Sequence, residues 1–133
     1  MDNKDLEHRP EKIRADQQFQ ELRQILNKAI KSSNGWKNIL SNIKPNDITN
    51  KKSLEKIPIT RKSSLSLLQK NYPPLGGLST IPVNKFKNLF VSPGPIYEPG
   101  GCDDFWRMSR AMSAASFSKG DTVYNTFAYH LTP

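Results

Sequence analysis

Proline placement sets the strictest limit on what this chain can fold into. The 133 residues include ten prolines and seven glycines. Proline fixes φ and donates no backbone hydrogen bond, so it cannot sit inside a helix or a central strand without cost. Pro45, Pro58, Pro73, Pro74, Pro93, Pro95 and Pro99 divide the chain into short pieces. Only 35% of residues are hydrophobic, too few for a large core in a chain of this length. A compact, self-sufficient enzyme is therefore a poor fit, and a disulfide scaffold is excluded: the one cysteine, Cys102, has no partner. No stretch approaches the ~20 apolar residues of a spanning helix. The polar start, MDNKDLEHRPEK, lacks the apolar core of a signal peptide. These features point to the cytoplasm, with Cys102 reduced.

Charge divides the chain further. Residues 1–90 hold 17 Lys/Arg against 8 Asp/Glu, while residues 91–133 hold 3 against 4. The lysines are spread singly among Asn, Ser and Ile, whereas nucleic-acid readers gather charge on one face. Trp36 and Phe19 sit on apolar stripes, so no aromatic–basic platform forms. A solvated lysine-rich surface accounts for the charge better than nucleic-acid binding, and neither nucleic acid nor membrane is expected as a partner.

Residues 1–10 read as a flexible tail. From Glu11 to Lys31, Phe19, Leu22, Ile25, Leu26, Ala29 and Ile30 recur at helical spacing. Ser32 to Gly35 stops this helix. Trp36, Ile39, Leu40 and Ile43 form a second stripe that Pro45 ends, and the two helices predict a hairpin. Ser53 to Lys56 predicts one helical turn. Thr60 predicts an N-cap for a helix through Leu65, Leu67, Leu68 and Lys70, before Pro-Pro-Leu-Gly-Gly forces a loop. Lys87 to Ser92 reads as a strand, and SPGPIYEPGG (92–101) as a rigid loop. Asp103 or Asp104 caps a third helix carrying Phe105, Met108, Met112 and Ala115. Thr122 to Tyr129 reads as a second strand.

Strand, loop, helix and strand make a βαβ unit, which belongs in a parallel sheet. Such sheets need several strands and two covered faces. The expected fold class is therefore α/β, the front piece of a longer protein. It comprises a tail (1–10), a helical segment with Pro-rich connectors (11–82) and the start of an incomplete α/β domain (83–133).

No nucleophile elbow, P-loop or dinucleotide fingerprint is present. His130 falls at the carboxyl end of the last strand, where open α/β sheets bind ligands, or is an ordinary surface histidine. Asp103 and Asp104 suit a helix cap better than a metal pair. The 92–101 loop places glycine amides before a helix, a geometry that suits phosphate. Against this, Pro93, Pro95 and Pro99 have no N–H and Glu98 is an anion. The residues leave a structural turn and a nucleotide cradle equally open.

The segment order resembles the N-terminal part of the phenylacetate–CoA ligase family of adenylate-forming (AMP-binding) enzymes. The matching pieces are FQELRQILNKAIKSSNGWKNIL, then SLEKIPITRKSSLSLLQKNYPP with Leu54, Pro58, Thr60, Leu65 and Asn71-Tyr72-Pro73, and finally MSRAMSAASFSKGDTVYNTFAYHLTP. The resemblance spans residues 12–133. The family's phosphate loop, Ser-Ser-Gly-Thr-Thr-Gly-Lys-Pro, falls on residues 92–99. Ser92, Gly94 and Pro99 agree; Pro95, Ile96, Tyr97 and Glu98 replace the two threonines, the second glycine and the lysine.

The resemblance implies ATP-dependent ligation of a carboxylic acid to CoA through an acyl-adenylate, with Mg²⁺ as counter-ion and a homodimer allowed for the full-length parent. It places Ser92, Gly94 and Pro99 at the ATP phosphate loop. It sets Tyr129 and His130 beside the acyl pocket, and the catalytic groups beyond Pro133, so the fragment alone is expected to be inactive. Two other readings stand beside it: a non-catalytic scaffold that keeps this fold, and a basic nucleic-acid-associated protein.

Overall fold

A computed structural model describes residue 6, residues 8–101, residue 104 and residues 106–126. The chain divides into two compact units. One runs from Arg9 to Val83; the other takes the residues from Asn84 onward together with Met1–His8. Among the described residues no helix is long and apolar enough to cross a membrane.

The first unit is helical. Helix α1 (Glu11–Ser32) is followed after a single residue by α2 (Asn34–Ile39). Ser33 makes this join. Its extended backbone breaks the helix, and its side chain accepts from Trp36 N–H at 3.1 Å, capping α2. The predicted stop at Ser32–Gly35 thus narrows to Ser33, and Gly35 lies inside α2.

The stripes of α1 and α2 meet in one core. Leu26, Leu40 and Ile48 are buried at its centre, with Phe19, Leu22, Ile30, Trp36, Ile39, Ile43 and Ile57 packed around them. Ile25 departs from the expected stripe and is 58% exposed. At 3.6 residues per turn it lies roughly 90° from the mean direction of the other five. Helix α2 ends at Ile39, earlier than Pro45 requires; Leu40 and Ile43 reach the core from the turns that follow. A 3-10 turn, Pro45–Asp47, then delivers Ile48.

Helix α3 (Lys51–Leu54) starts two residues before the predicted turn because Asn50 caps it. Asn50 Oδ1 accepts from Ser53 N–H at 2.9 Å, and the buried Ser53 Oγ accepts from Thr49 N–H and Asn50 N–H at 2.9 and 3.0 Å. This reciprocal box satisfies donors that a helix start otherwise leaves open. Helix α4 (Lys62–Asn71) begins after Arg61, with no side-chain cap, so Thr60 does not serve as one. Leu67 is 63% exposed, while Leu65 and Leu68 are half-buried.

The Pro-Pro-Leu-Gly-Gly loop follows α4 and closes onto the α1–α2 join. Gly76 and Gly77 both have φ near +66°, a region glycine enters without strain. The Gly77 carbonyl accepts from Ser33 Oγ at 2.6 Å and from Gly35 N–H at 3.1 Å. Leu75 is buried.

The second unit begins with a sheet. Strands β1 (Asn88–Ser92) and β2 (Ile96–Gly100) pair antiparallel, from Asn88 opposite Gly100 to Ser92 opposite Ile96. The expected rigid loop is therefore a hairpin. Its proline content disguised β2, since Pro99 is tolerated only because a two-stranded sheet has no central strand. Helix α5 (Met108–Ala114) starts later than Asp103–Asp104 predicts and buries none of its residues. Residues 121–126 form no regular element. A strand requires a ladder partner, and among the described residues the sheet ladder holds β1 and β2 and does not include residues 122–126. The parallel βαβ arrangement is thus replaced, over the described residues, by an antiparallel hairpin followed by a short helix. The fold remains a small α/β assembly of helices and a two-stranded sheet.

Candidate functional site

The hairpin turn carries the residues that the sequence marks for phosphate. Ser92 closes β1, Gly94 sits at the tip, and Pro99 lies on β2 opposite Leu89. Ser92 Oγ donates across the turn to the Ile96 carbonyl at 3.4 Å, and Gly94 N–H donates back to the Ser92 carbonyl at 2.7 Å. Pro93 and Pro95 have no N–H. Ile96 is buried and held in the ladder opposite Ser92. Glu98, half-buried opposite Phe90, is the one charged residue between Asn88 and Gly100. This donor set does not fit a nucleotide's phosphates, which need several amides aimed outward and no adjacent anion. Tyr129 and His130 lie outside the described residues, as do Cys102 and Asp103.

Beyond β2 the chain turns tightly at Asp104 and Arg107, both with positive φ, and Arg107 N–H donates to the Asp104 carbonyl at 2.7 Å. Asp104 Oδ1 accepts from Ser109 N–H at 3.1 Å, and Oδ2 accepts from Ser109 Oγ. The capping role expected of Asp104 is therefore realised on the first turn of α5. Trp106 stacks at a tilt on Phe90, with ring centroids 5.9 Å apart. This places one aromatic of the helix approach against β1, a contact that hydrophobic periodicity does not reveal. Among the described residues no group of three or more His, Cys, Asp or Glu side chains could hold a metal ion.

The Ser109 hydroxyl and amide hold the Asp104 carboxyl below its ordinary 3.8. A depressed carboxyl supports the folded turn fully above its unfolded pKa and loses that support as pH falls through the folded value. The cap should therefore persist below the ordinary aspartate range and open as pH falls through the lowered value. Following the Ser109 amide shift by NMR across pH 2 to 6 checks this (a range of about four units around the ordinary carboxylate value). A midpoint not lower than that of an ordinary exposed aspartate would refute the bond.

Comparison with known proteins adds the fold's context. No protein-family model matches the sequence, and no curated protein does. Solved structures do match. 2-Hydroxyisobutyryl-CoA ligase in the postadenylation state with R3-HIB-AMP superposes with a TM-score of 0.75 at 20% identity, covering 84% of this chain and 25% of that chain. The same ligase with 2-HIB-AMP in that state gives 0.69 at 18% identity, covering 78% and 23%. Its open conformation with 2-HIB-AMP and CoA gives 0.66 at 20%, covering 80% and 23%. The fold matches part of the fold of this ligase. The chain spans about a quarter of the length of the ligase chains it matches.

Proposed function

We propose that this chain is the N-terminal part of an ATP-dependent acid–CoA ligase resembling phenylacetate–CoA ligase. The complete polypeptide would join a carboxylic acid to CoA by way of an acyl-adenylate. The observation that carries the reading is the superposition at a TM-score of 0.75 on a ligase solved in the postadenylation state, over 84% of the chain. The segment order read from the sequence supports it independently, because it points to the same superfamily without reference to structure.

ATP, Mg²⁺ and CoA belong to the complete enzyme under this reading. Mg²⁺ would neutralise phosphate charge. Ser92, Gly94 and Pro99 occupy the family's phosphate-loop position in sequence. Their donors are engaged within the hairpin, so no step is assigned to them. Tyr129 and His130 retain their proposed place beside the acyl pocket, and the catalytic groups are proposed to lie beyond Pro133.

A second reading is favoured by the same turn: a protein that keeps this fold and has no adenylating chemistry. The two separate in one assay. The polypeptide encoded by the complete reading frame is incubated with ATP, Mg²⁺, CoA and a panel of carboxylic acids, and pyrophosphate and acyl-CoA are measured. Acid-dependent release of both supports the ligase; silence across the panel supports the scaffold. The 133 residues alone should form no acyl-CoA, and product above background from the purified chain would overturn that expectation.

A further inference from the structure

We infer that the β1–β2 turn is closed against phosphate, so that any nucleotide phosphates this protein handles are held elsewhere. The inference concerns the turn itself and does not depend on the polypeptide being a ligase.

A loop that cradles phosphate converges several backbone amides on one point, usually with a cation beside it. The five residues from Ser92 to Ile96 can supply at most three amides, since two of them are prolines. Gly94, the tip, turns its N–H back to the Ser92 carbonyl at 2.7 Å. Ile96 is buried in the ladder. The Ser92 hydroxyl, the turn's side-chain donor, points across to the Ile96 carbonyl. The Gly94 N–H and the Ser92 hydroxyl thus converge on the hairpin's own carbonyls.

Steric crowding is not the cause. A Cβ built on Gly94 meets nothing within 4 Å, so an anion has room to approach. When it arrives, the tip amide is already spent on the Ser92 carbonyl, and Glu98 puts a carboxylate on the adjoining strand. Closure comes from Pro93 and Pro95, which remove donors, and from the Gly94 N–H and Ser92 hydroxyl, which are spent inside the hairpin; Glu98 is an anion where a phosphate loop carries a cation.

The test uses the 133-residue chain labelled with ¹⁵N, without acid or CoA. Sodium pyrophosphate and Mg·ATP are titrated separately to about 10 mM, roughly ten times a Kd of 1 mM. Sodium chloride of matched ionic strength serves as reference. The amides of Ser92, Gly94 and Ile96 should move no further than in the chloride reference. A saturable shift centred on Gly94 would overturn the inference.

The triple variant Pro93→Ser, Pro95→Thr, Glu98→Lys restores donors and reverses the charge. It should gain a saturable pyrophosphate response at Gly94. If the folded variant stays silent, these three residues are not what closes the turn, and the inference fails. Because the readout is anion contact, it is separate from the ligase assay: either result can occur with or without pyrophosphate release from the complete polypeptide.

Discussion

Replacing Ile48 with alanine should destabilise the Arg9–Val83 unit by about 2–5 kcal/mol, the usual cost of truncating a buried isoleucine. Ile48 is only 2% exposed and completes the three-residue centre of the core with Leu26 and Leu40. It reaches that position from a 3-10 turn whose backbone is pinned at both ends. Ile48 N–H donates to the Pro45 carbonyl at 3.1 Å, and the Ile48 carbonyl accepts from Arg23 Nη1 at 3.4 Å. A pinned backbone cannot collapse into the space left by the missing atoms, which pushes the cost toward the upper part of the range. Small domains hold only about 5–15 kcal/mol in total, so the loss is a large share. Urea denaturation followed by Trp36 fluorescence measures it, since Trp36 packs against the same core. A change under about 1 kcal/mol would mean that Ile48 is not central.

Replacing Gly35 with alanine should cost about 1–3 kcal/mol through overpacking. A Cβ there falls 2.8 Å from the Gly77 carbonyl oxygen and 2.8 Å from Leu78 Cδ2. The leucine can move; the carbonyl is backbone, and it is also the acceptor for Ser33 Oγ and Gly35 N–H. Relieving the clash therefore stretches two hydrogen bonds that tie the Pro-Pro-Leu-Gly-Gly loop to the α1–α2 join. The comparison is Gly94→Ala, where the new methyl meets nothing within 4 Å and stability should shift by no more than about 0.5 kcal/mol. Thermal melts of the two variants beside the parent decide the matter. Equal melting temperatures for the two alanine variants would refute the close approach.

The helical unit was largely readable because its signals are local. Phe19, Leu22, Leu26, Ala29 and Ile30 share a stripe set by 3.6 residues per turn, and Trp36 and Ile39 lie three apart on α2, while Leu40 and Ile43 join the same core from the turns beyond it. Ile25 misled because a one-dimensional spacing rule accepts a residue at the stripe's margin as readily as one at its centre. The caps were less readable. Asn50, rather than a residue nearer Ser53, starts α3, and Thr60 is passed over. Several polar residues in each region can cap, and tertiary contacts choose among them.

The second unit was harder for a different reason. Pro99 and the Ser-Pro-Gly-Pro run suppress every propensity signal for β2, and only pairing with β1 makes a strand of Ile96–Gly100. The strand expected at Thr122–Tyr129 shows the converse over its described part. Its composition favours extension, yet residues 122–126 join no sheet ladder among the described residues, and composition alone does not make a strand. At the hairpin turn, the family resemblance implies a positional match to a phosphate loop. Only the directions of the Gly94 amide and the Ser92 hydroxyl reveal where those donors are spent.

The two-stranded sheet also has a bearing on self-association. Among the described residues each strand of the pair presents an outer row of backbone groups on which a further strand could template. The two rows are not equivalent. β2 carries Glu98 and Pro99, a charge and a missing donor, both of which discourage strand addition. β1 reads NLFVS, with neither a charge nor a proline. Cross-β growth, where it starts from this sheet, therefore favours the β1 side, and a single lysine in place of Leu89, which is 39% exposed, would give that edge the protection its partner already has.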